Sequence, residues 1–282
     1  MSRLAEIQGH IASMSELQDI VGAMRSLAGM RVQEVQHGLP GIRRYADELA
    51  AGIGSALFLV PQRPRDARPE PQRLALVLFT AEHGFVGGFN ERLVEAVQAL
   101  AEPPDLLFVL GSRGANVLLE RGWQITWMQP MATRLAGAPE TIRRLTDELY
   151  GRIARGEIFR LETMFGRYRE GESPTIERRL LLPFDPSSLA VINRHQQPLC
   201  NLPPQVLLER LTAEYVFALL TEAAIESLAS ENAARFAAME AAHDNVSKKL
   251  DQLRLAARQA RQSEITTELL DLITGAEALG ER

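Results

Sequence analysis

The chain has 282 residues, of which 46% are hydrophobic and 24% charged, and its formal net charge is −5. The mildly acidic balance, without any block of basic residues, excludes the usual nucleic-acid-binding proteins. The apolar stretches are shorter than the roughly 20 residues of a membrane helix, and the lone Cys200 excludes an internal disulfide or a CxxC site. We therefore expect a soluble cytoplasmic protein without direct membrane insertion.

The first segment has the periodicity of one long helix. Apolar residues recur at steps of three and four from Leu4 to Ala28, and they include Leu17, Val21 and Met24. The pattern resumes after Pro40 and continues to about Leu57. Residues 1–58 are therefore predicted to form an N-terminal coiled-coil helix, and a proline-rich loop at 60–73 then marks a domain boundary.

Residues 70–200 alternate between strand-like and helix-like segments. Strand-like runs lie at 74–80, 105–111 and 123–128, and helical stretches lie at 90–102, 112–121 and 139–154. This alternation predicts a small, largely parallel sheet flanked by helices, which is a Rossmann-like α/β domain. Two later runs, at 160–169 and 175–183, predict a hairpin at the edge of the sheet.

After Pro204 the chain contains no proline and keeps helical spacing, so residues 204–280 are predicted to form a second long helix. At ~1.5 Å per residue this helix would be roughly 110 Å long and the N-terminal one about 80 Å. A compact domain of this size has a radius of gyration near ~19 Å, so such helices must project from it. We predict an antiparallel two-helix coiled coil from both chain ends, with the α/β domain inserted between them.

The segment FTAEHGFVGGFN, residues 79–90, follows a predicted strand and carries glycines, as many nucleotide sites do. It lacks the lysine and hydroxyl of a P-loop, and its G-x-x-G-G spacing is not the dinucleotide fingerprint. We interpret Gly87 and Gly88 as a tight strand-to-helix turn, with Asn90 placed to cap the helix. The alternative is a nucleotide- or small-molecule-binding α/β enzyme that uses the Gly84–Gly88 turn.

The sequence contains no group of residues with the spacing of a catalytic or metal site. Glu82 and His83 are adjacent, so they should point apart on a strand or turn, and no nucleophile elbow or H-E-x-x-H motif occurs. We predict that the chain has no catalytic residue, no cofactor and no metal. A non-catalytic coiled-coil scaffold is a third possible function.

Several segments resemble the gamma subunits of F-type rotary ATP synthases. They are IVGAMRSLA at 20–28, GFVGGFN at 84–90, ASENAARFAAM at 229–239, HDN at 243–245 and ARQSEITTEL at 260–269. Departures from the family pattern, such as Val21 and Gly29, indicate a divergent, alternate bacterial branch. The fold of that family is the coiled coil with an inserted α/β domain predicted above.

The resemblance implies a non-catalytic rotor shaft that couples ion flow, of protons or sodium, to ATP synthesis or hydrolysis. The coiled coil would turn inside a hexamer of alpha and beta subunits, which bind the nucleotide. The α/β domain would be the foot, which rests on the membrane c-ring and carries an epsilon subunit. The complex would lie at the cytoplasmic face of the inner membrane.

The resemblance also implies which residues contact the partners. Arg261 and Gln262 match a pair that loops of the beta subunits grip. Met24 matches a methionine that faces the same region of the shaft and the beta lever, and Thr266 and Glu268 fall in the matching C-terminal motif.

Overall fold

The structure is a computed structural model that describes residues 3–60, 73–169, 174–183 and 200–280, without the side chains of 271 and 274–280. Residues 61–72 of the predicted proline-rich boundary lie outside the described residues. The helices are α1 (Arg3–Leu57), α2 (Phe89–Gln98), α3 (Ser112–Glu120), α4 (Ala138–Ala154) and α5 (Pro204–Gly280). The strands are β1 (Leu74–Phe79), β2 (Leu106–Leu110), β3 (Trp127–Gln129), β4 (Arg160–Arg167) and β5 (Thr175–Leu182).

The five strands form one mixed sheet in the order β3-β2-β1-β4-β5. β1 pairs in parallel with β2 and β4, and β2 pairs in parallel with β3. Only the β4–β5 hairpin is antiparallel, as the sequence predicted for the sheet edge. The predicted fold class, a Rossmann-like α/β domain between two long terminal helices, is confirmed.

Both faces of the central strand β1 are buried, which explains its uninterrupted apolar sequence. Ala75, Val77 and Phe79 point to a core that contains residues of α4 and α5. Leu76 and Leu78 point to a core that contains residues of α2 and α3. The sheet is thus covered by helices on both sides, and the start of α5 is one of them.

The chain divides into two compact units, and both long helices contribute to each. Residues 28–235 form the sheet unit, and residues 1–27 with 236–282 form the other unit, here called the helix pair. In the helix pair α1 and α5 are antiparallel, and Gln18 Nε2 donates a hydrogen bond to Ser247 Oγ at 2.7 Å. Val21 of α1 and Leu250 of α5 are buried there.

The third strand differs from its sequence prediction. A strand was expected at 123–128, but β3 begins only at Trp127. Gly122 has a φ of +81°, and the Trp123 N–H then donates to the Leu118 carbonyl at 3.0 Å, so the chain is still turning out of α3 there. Apolar side chains at 123 and 125 pack on the sheet from this connection, which imitates strand periodicity in the sequence.

Arginine and glutamate side chains join α1, β5 and α5 within the sheet unit. Arg43 donates to Glu222 at 3.1 Å and also pairs with Glu226. Arg179 donates to the other Glu222 oxygen at 2.9 Å and to Glu177 at 2.8 Å. Glu226 is only 1% exposed, and this burial raises the pKa of its carboxyl, although the charge of Arg43 acts in the opposite direction.

Gly111, between β2 and α3, is fixed by both its backbone and its surroundings. Its φ is +111°, and a Cβ there would lie 2.3 Å from the Thr80 carbonyl oxygen. Gly111→Ala should lower the free energy of unfolding by about 3 kcal/mol or more, because left-handed strain adds to overlap with the main chain. Gly122→Ala is the control, since Gly122 has a φ of +81° but open space around it. Urea unfolding should show a larger loss for Gly111→Ala, and equal losses would contradict the packing at Thr80.

Glu226→Gln tests the cost of burying this carboxyl. Because its pKa is raised from the ordinary value of 4.5, the folded chain binds the proton more tightly than the unfolded chain. The free energy of unfolding therefore falls as the pH rises from the ordinary pKa of a glutamate through the raised pKa of Glu226. Glu226→Gln removes this component, so its free energy of unfolding should fall less between about pH 5 and about pH 8 than that of the wild type. Glu240→Gln, which removes an exposed carboxylate from the same helix, is the control, and a wild-type slope for Glu226→Gln would refute the assignment.

Candidate functional site

The glycine turn, residues 84–88, connects β1 to α2. Phe85 in this turn has a left-handed backbone with a φ of 62°, which is rare for a bulky residue. α2 begins at Phe89 without a hydrogen bond from a capping side chain. The predicted cap by Asn90 is therefore wrong. Asn90 is buried, and its Oδ1 instead accepts a hydrogen bond from the Ala81 N–H at 3.0 Å, which ties the two ends of the turn together.

Helix α5 lies across the carboxyl ends of β1 and β4. In open parallel sheets, ligands bind in the crevice between two strands whose connections leave in opposite directions, and here those strands are β1 and β4. Ser227 Oγ of α5 donates to the Phe79 carbonyl at the end of β1 at 3.2 Å. A Cβ on Gly166 of β4 would lie 2.8 Å from the Ser230 Cβ of α5. The chain's own helix thus occupies the place where the alternative enzyme would bind its nucleotide.

A cleft of about 330 Å³ lies beside the glycine turn, between α2 and α3. Its lining includes Phe85, Glu91, Arg113 and Glu120. Two carboxylates against one guanidinium would repel the phosphates of a nucleotide. The charge of this cleft therefore does not favour the nucleotide-binding alternative either.

Glu82 and His83, the one acid and base that are adjacent near the turn, do not form a catalytic pair. The Glu82 carboxylate accepts hydrogen bonds from the Ser112 N–H at 3.0 Å, the Ser112 hydroxyl at 2.8 Å and the Met131 N–H at 2.9 Å. Burial alone would raise the pKa of Glu82, but these hydrogen bonds hold it below its usual value. Glu82 is thus an ionised acceptor that holds the start of α3, and it is unsuited to general acid chemistry.

Arg235 joins the glycine turn to α5. Its Nη2 donates to Glu231 at 2.6 Å and to the Gly84 carbonyl at 3.4 Å, and its Nη1 donates to Asn232 Oδ1 at 3.1 Å. The side chains of Arg235 and Glu231 are only 11% and 6% exposed. Burial raises the pKa of Glu231 although the Arg235 charge beside it acts in the opposite direction. The sequence analysis missed this pair, and its i,i+4 spacing in a helical segment was the available signal.

The residues matched to the beta-subunit grip lie on α5 in the helix pair. All four side chains are exposed: Arg261, Gln262, Thr266 and Glu268. The Thr266 hydroxyl donates back to the Gln262 carbonyl at 2.8 Å. At helical spacing Gln262 and Thr266 share one face of α5, whereas Arg261 and Glu268 share another.

Met24 lies on a different stretch of the helix pair. It is half-buried on α1, and because Gln18 contacts Ser247 in an antiparallel arrangement, Met24 is level with about Ala241. At ~1.5 Å per residue, Arg261 is then roughly 30 Å further along α5. The structure does not bring Met24 together with Arg261 and Gln262, so these residues would meet different parts of a partner.

Both helices of the pair carry large apolar side chains on outward faces. On α1, Leu17, Ile20 and Leu27 are 41%, 57% and 47% exposed and, with Met24, they form a stripe at helical spacing. The sequence analysis placed Leu17 in the same stripe as Val21, but only Val21 is buried. Among the side chains of α5 that the structure describes, the exposed large apolar ones are Leu255, Ile265, Leu269, Leu270, Leu272 and Ile273. Exposed apolar stripes of this kind mark surfaces that bind a partner.

In the part of the chain that the structure describes, no helix combines the length and apolarity of a membrane span. Among the same residues, no three side chains of histidine, cysteine, aspartate or glutamate come together as metal ligands would.

Comparisons with known proteins agree with the fold. A family model described as ATP synthase matches residues 3–279. The ATP synthase gamma chain of Prosthecochloris aestuarii (strain DSM 271 / SK 413) is 26% identical over 291 residues, which cover 99% of each chain.

Solved structures show the same fold. One is a chain of the Euglena gracilis mitochondrial ATP synthase, solved with OSCP, F1 and c-ring, which has a TM-score of 0.65 at 14% identity. The match covers 98% of the present chain and 94% of the Euglena chain. A chain of the Tetrahymena thermophila mitochondrial ATP synthase, from its central stalk and c-ring, has a TM-score of 0.56 at 17% identity. The match covers 79% of the present chain and 99% of the Tetrahymena chain. The chain therefore belongs to the ATP synthase family, as one of its gamma subunits.

Proposed function

We propose that this chain is the central-stalk rotor subunit of an F-type ATP synthase or ATPase, and that it contributes no catalytic residue or cofactor. The helix pair turns inside a hexamer of alpha and beta subunits, and its asymmetric surface holds each beta subunit at a different stage of ATP synthesis or hydrolysis. Rotation couples these stages to ion movement through the membrane c-ring.

The outward apolar stripes of the helix pair are the observation that carries this proposal. An isolated helix pair gains nothing from leaving Leu17, Ile20 and Leu27 in water, and burying them in a partner is favourable by about 25 cal/mol per Å². Apolar contacts are also non-directional, so they allow the shaft to turn without breaking a series of ion pairs.

The last part of α5 has an exposed apolar surface, which suits a shaft that turns inside a ring of subunits. Since Gln18 contacts Ser247, Arg3 at the start of the described α1 is level with about Gln262. α5 continues past that level to Gly280, and Leu269, Leu272 and Ile273 are exposed on this continuation. We propose that these side chains turn within an apolar ring formed by the hexamer.

The α/β domain within the sheet unit would serve as the foot of the rotor. We propose that residues 70–200 carry the epsilon subunit and rest on the c-ring, and that 1–58 and 204–280 supply the shaft. The solved relatives of similar fold come from F1 with c-ring and from central stalk with c-ring, which supports these partners. The complex would then lie at the cytoplasmic face of a bacterial inner membrane.

Reconstitution separates this function from the two alternatives. The chain should co-purify with an alpha/beta hexamer and should have no ATPase activity alone. A nucleotide-binding α/β enzyme would instead bind ATP saturably as an isolated chain and lose that binding in Gly87→Val. A coiled-coil scaffold would bind the hexamer without affecting coupled ATP hydrolysis.

The outward stripe of α1 can be tested with Leu17→Gln combined with Ile20→Gln. Both side chains are largely in water, so the free energy of unfolding of the isolated chain should change by less than about 1 kcal/mol. Affinity for the alpha/beta hexamer should fall roughly tenfold or more, because the apolar contact is lost. The control replaces two exposed polar residues of the same helix that lie outside the stripe, Asp19 and Ser26, with glutamine. Equal affinity in the two double variants, measured by titration, would count against the stripe as a partner surface.

The grip is tested with Arg261→Ala combined with Gln262→Ala. Because both side chains are exposed, the fold should lose less than about 1 kcal/mol, whereas coupling or assembly with the hexamer should weaken. The chain offers a matched control, since Arg258 and Gln259 repeat the same dipeptide one turn earlier and are also exposed. ATP-driven ion uptake in vesicles measures coupling, and the grip is refuted if the 261–262 variant assembles and couples like the wild type.

A further inference from the structure

We propose that Arg235 is a positioning residue that locks α5 against rotation about its own axis, so that torque passes between α5 and the sheet. This inference rests on the proposed rotor function, since only a rotor has to carry torque through this contact. The side chain of Arg235 is only 11% exposed, and it reaches from α5 to the glycine turn.

Three of the α5 residues that lie against the carboxyl ends of β1 and β4 have small side chains. Ser227 lies at the end of β1, Ser230 faces Gly166 of β4, and Ala234 packs against the apolar core below the turn. Small side chains allow close approach, but they project little from the helix and offer little resistance to rotation here, roughly one turn or more beyond the ion pairs of Glu222 with Arg43 and Arg179. Ser230 even lacks a hydrogen-bond partner for its buried hydroxyl.

The guanidinium of Arg235 adds resistance to rotation of α5 at the glycine turn. A rigid, forked donor group with several acceptors has one favourable orientation. Here the acceptors lie both on α5 and on the glycine turn, which must rotate together. Glu231 and Asn232 belong to α5, whereas the Gly84 carbonyl belongs to the turn. Rotation of α5 would draw the guanidinium away from the Gly84 carbonyl. The carbonyl would then no longer lie in the guanidinium plane, in which the N–H groups donate.

The position of Arg235 along the helix suits this role. It is the last residue of the sheet unit, and Phe236 is the first α5 residue of the helix pair. The turn that it holds is itself fixed, because Asn90 bonds Ala81. A load on Arg235 is thus passed directly into the end of β1 and the start of α2.

The test uses the reconstituted complex with Glu231→Gln combined with Arg235→Met. Removing both partners avoids an uncompensated buried charge, so folding and assembly should be retained. ATP hydrolysis should continue, but ion uptake per ATP should fall by about twofold or more, because α5 slips against the sheet under load. Arg235→Lys keeps the charge and loses the fork, and it should give an intermediate ratio.

The control removes an exposed pair of the same spacing from α4, with Glu140→Gln combined with Arg144→Met. A wild-type ratio of uptake to hydrolysis in the 231–235 variant would overturn the inference, and so would an equal fall in the control. Failure of the wild-type chain to assemble with the hexamer would instead refute the proposed function. The two failures are therefore distinguishable.

Discussion

The packing of α5 across the carboxyl ends of β1 and β4 is the contact on which the rest of the structure depends. Ser227 and Ser230 are small enough to let the helix approach the strand ends closely. This packing places a helix of the chain itself in the crevice that ligand-binding members of this architecture keep open. The same contact therefore leaves no open crevice for a nucleotide between the ends of β1 and β4.

The chemistry of the side chains agrees with a mechanical role. Glu82 and Asn90, which stand where a catalytic or ligand-binding group would be expected, are engaged by backbone N–H groups. Several charged groups of the sheet unit pair with each other, as Arg43 and Arg179 do on the two oxygens of Glu222. The apolar stripes on the helix pair, in contrast, are left exposed to solvent. We propose that those stripes are surfaces for a partner that surrounds the helices.

Patterns of burial could be predicted from the sequence, whereas individual polar contacts could not. The apolar run of β1 and the three–four spacing of both ends predict the sheet and the long helices, because periodicity reports which faces are buried. β3 was misplaced because Trp123 and Ile125 pack on the core from a connection. Leu17 was assigned to the wrong face of α1, because two apolar stripes lie side by side on that helix. The bonds of Asn90 to the Ala81 N–H and of Arg235 to the Gly84 carbonyl depend on the fold, and a sequence does not specify them, whereas the i,i+4 spacing of Glu231 and Arg235 could have been read. The grip residues came from family resemblance alone, since exposed residues leave no periodic signal.

Rotation of the chain within its partner complex is the most direct test of this account. Cys200 is the single cysteine, so one probe can be attached to the chain while an alpha/beta hexamer is fixed to a surface. The account predicts stepwise rotation of the probe in one direction when ATP is added, and no rotation without ATP. ATP hydrolysis by the complex with a stationary probe would contradict it.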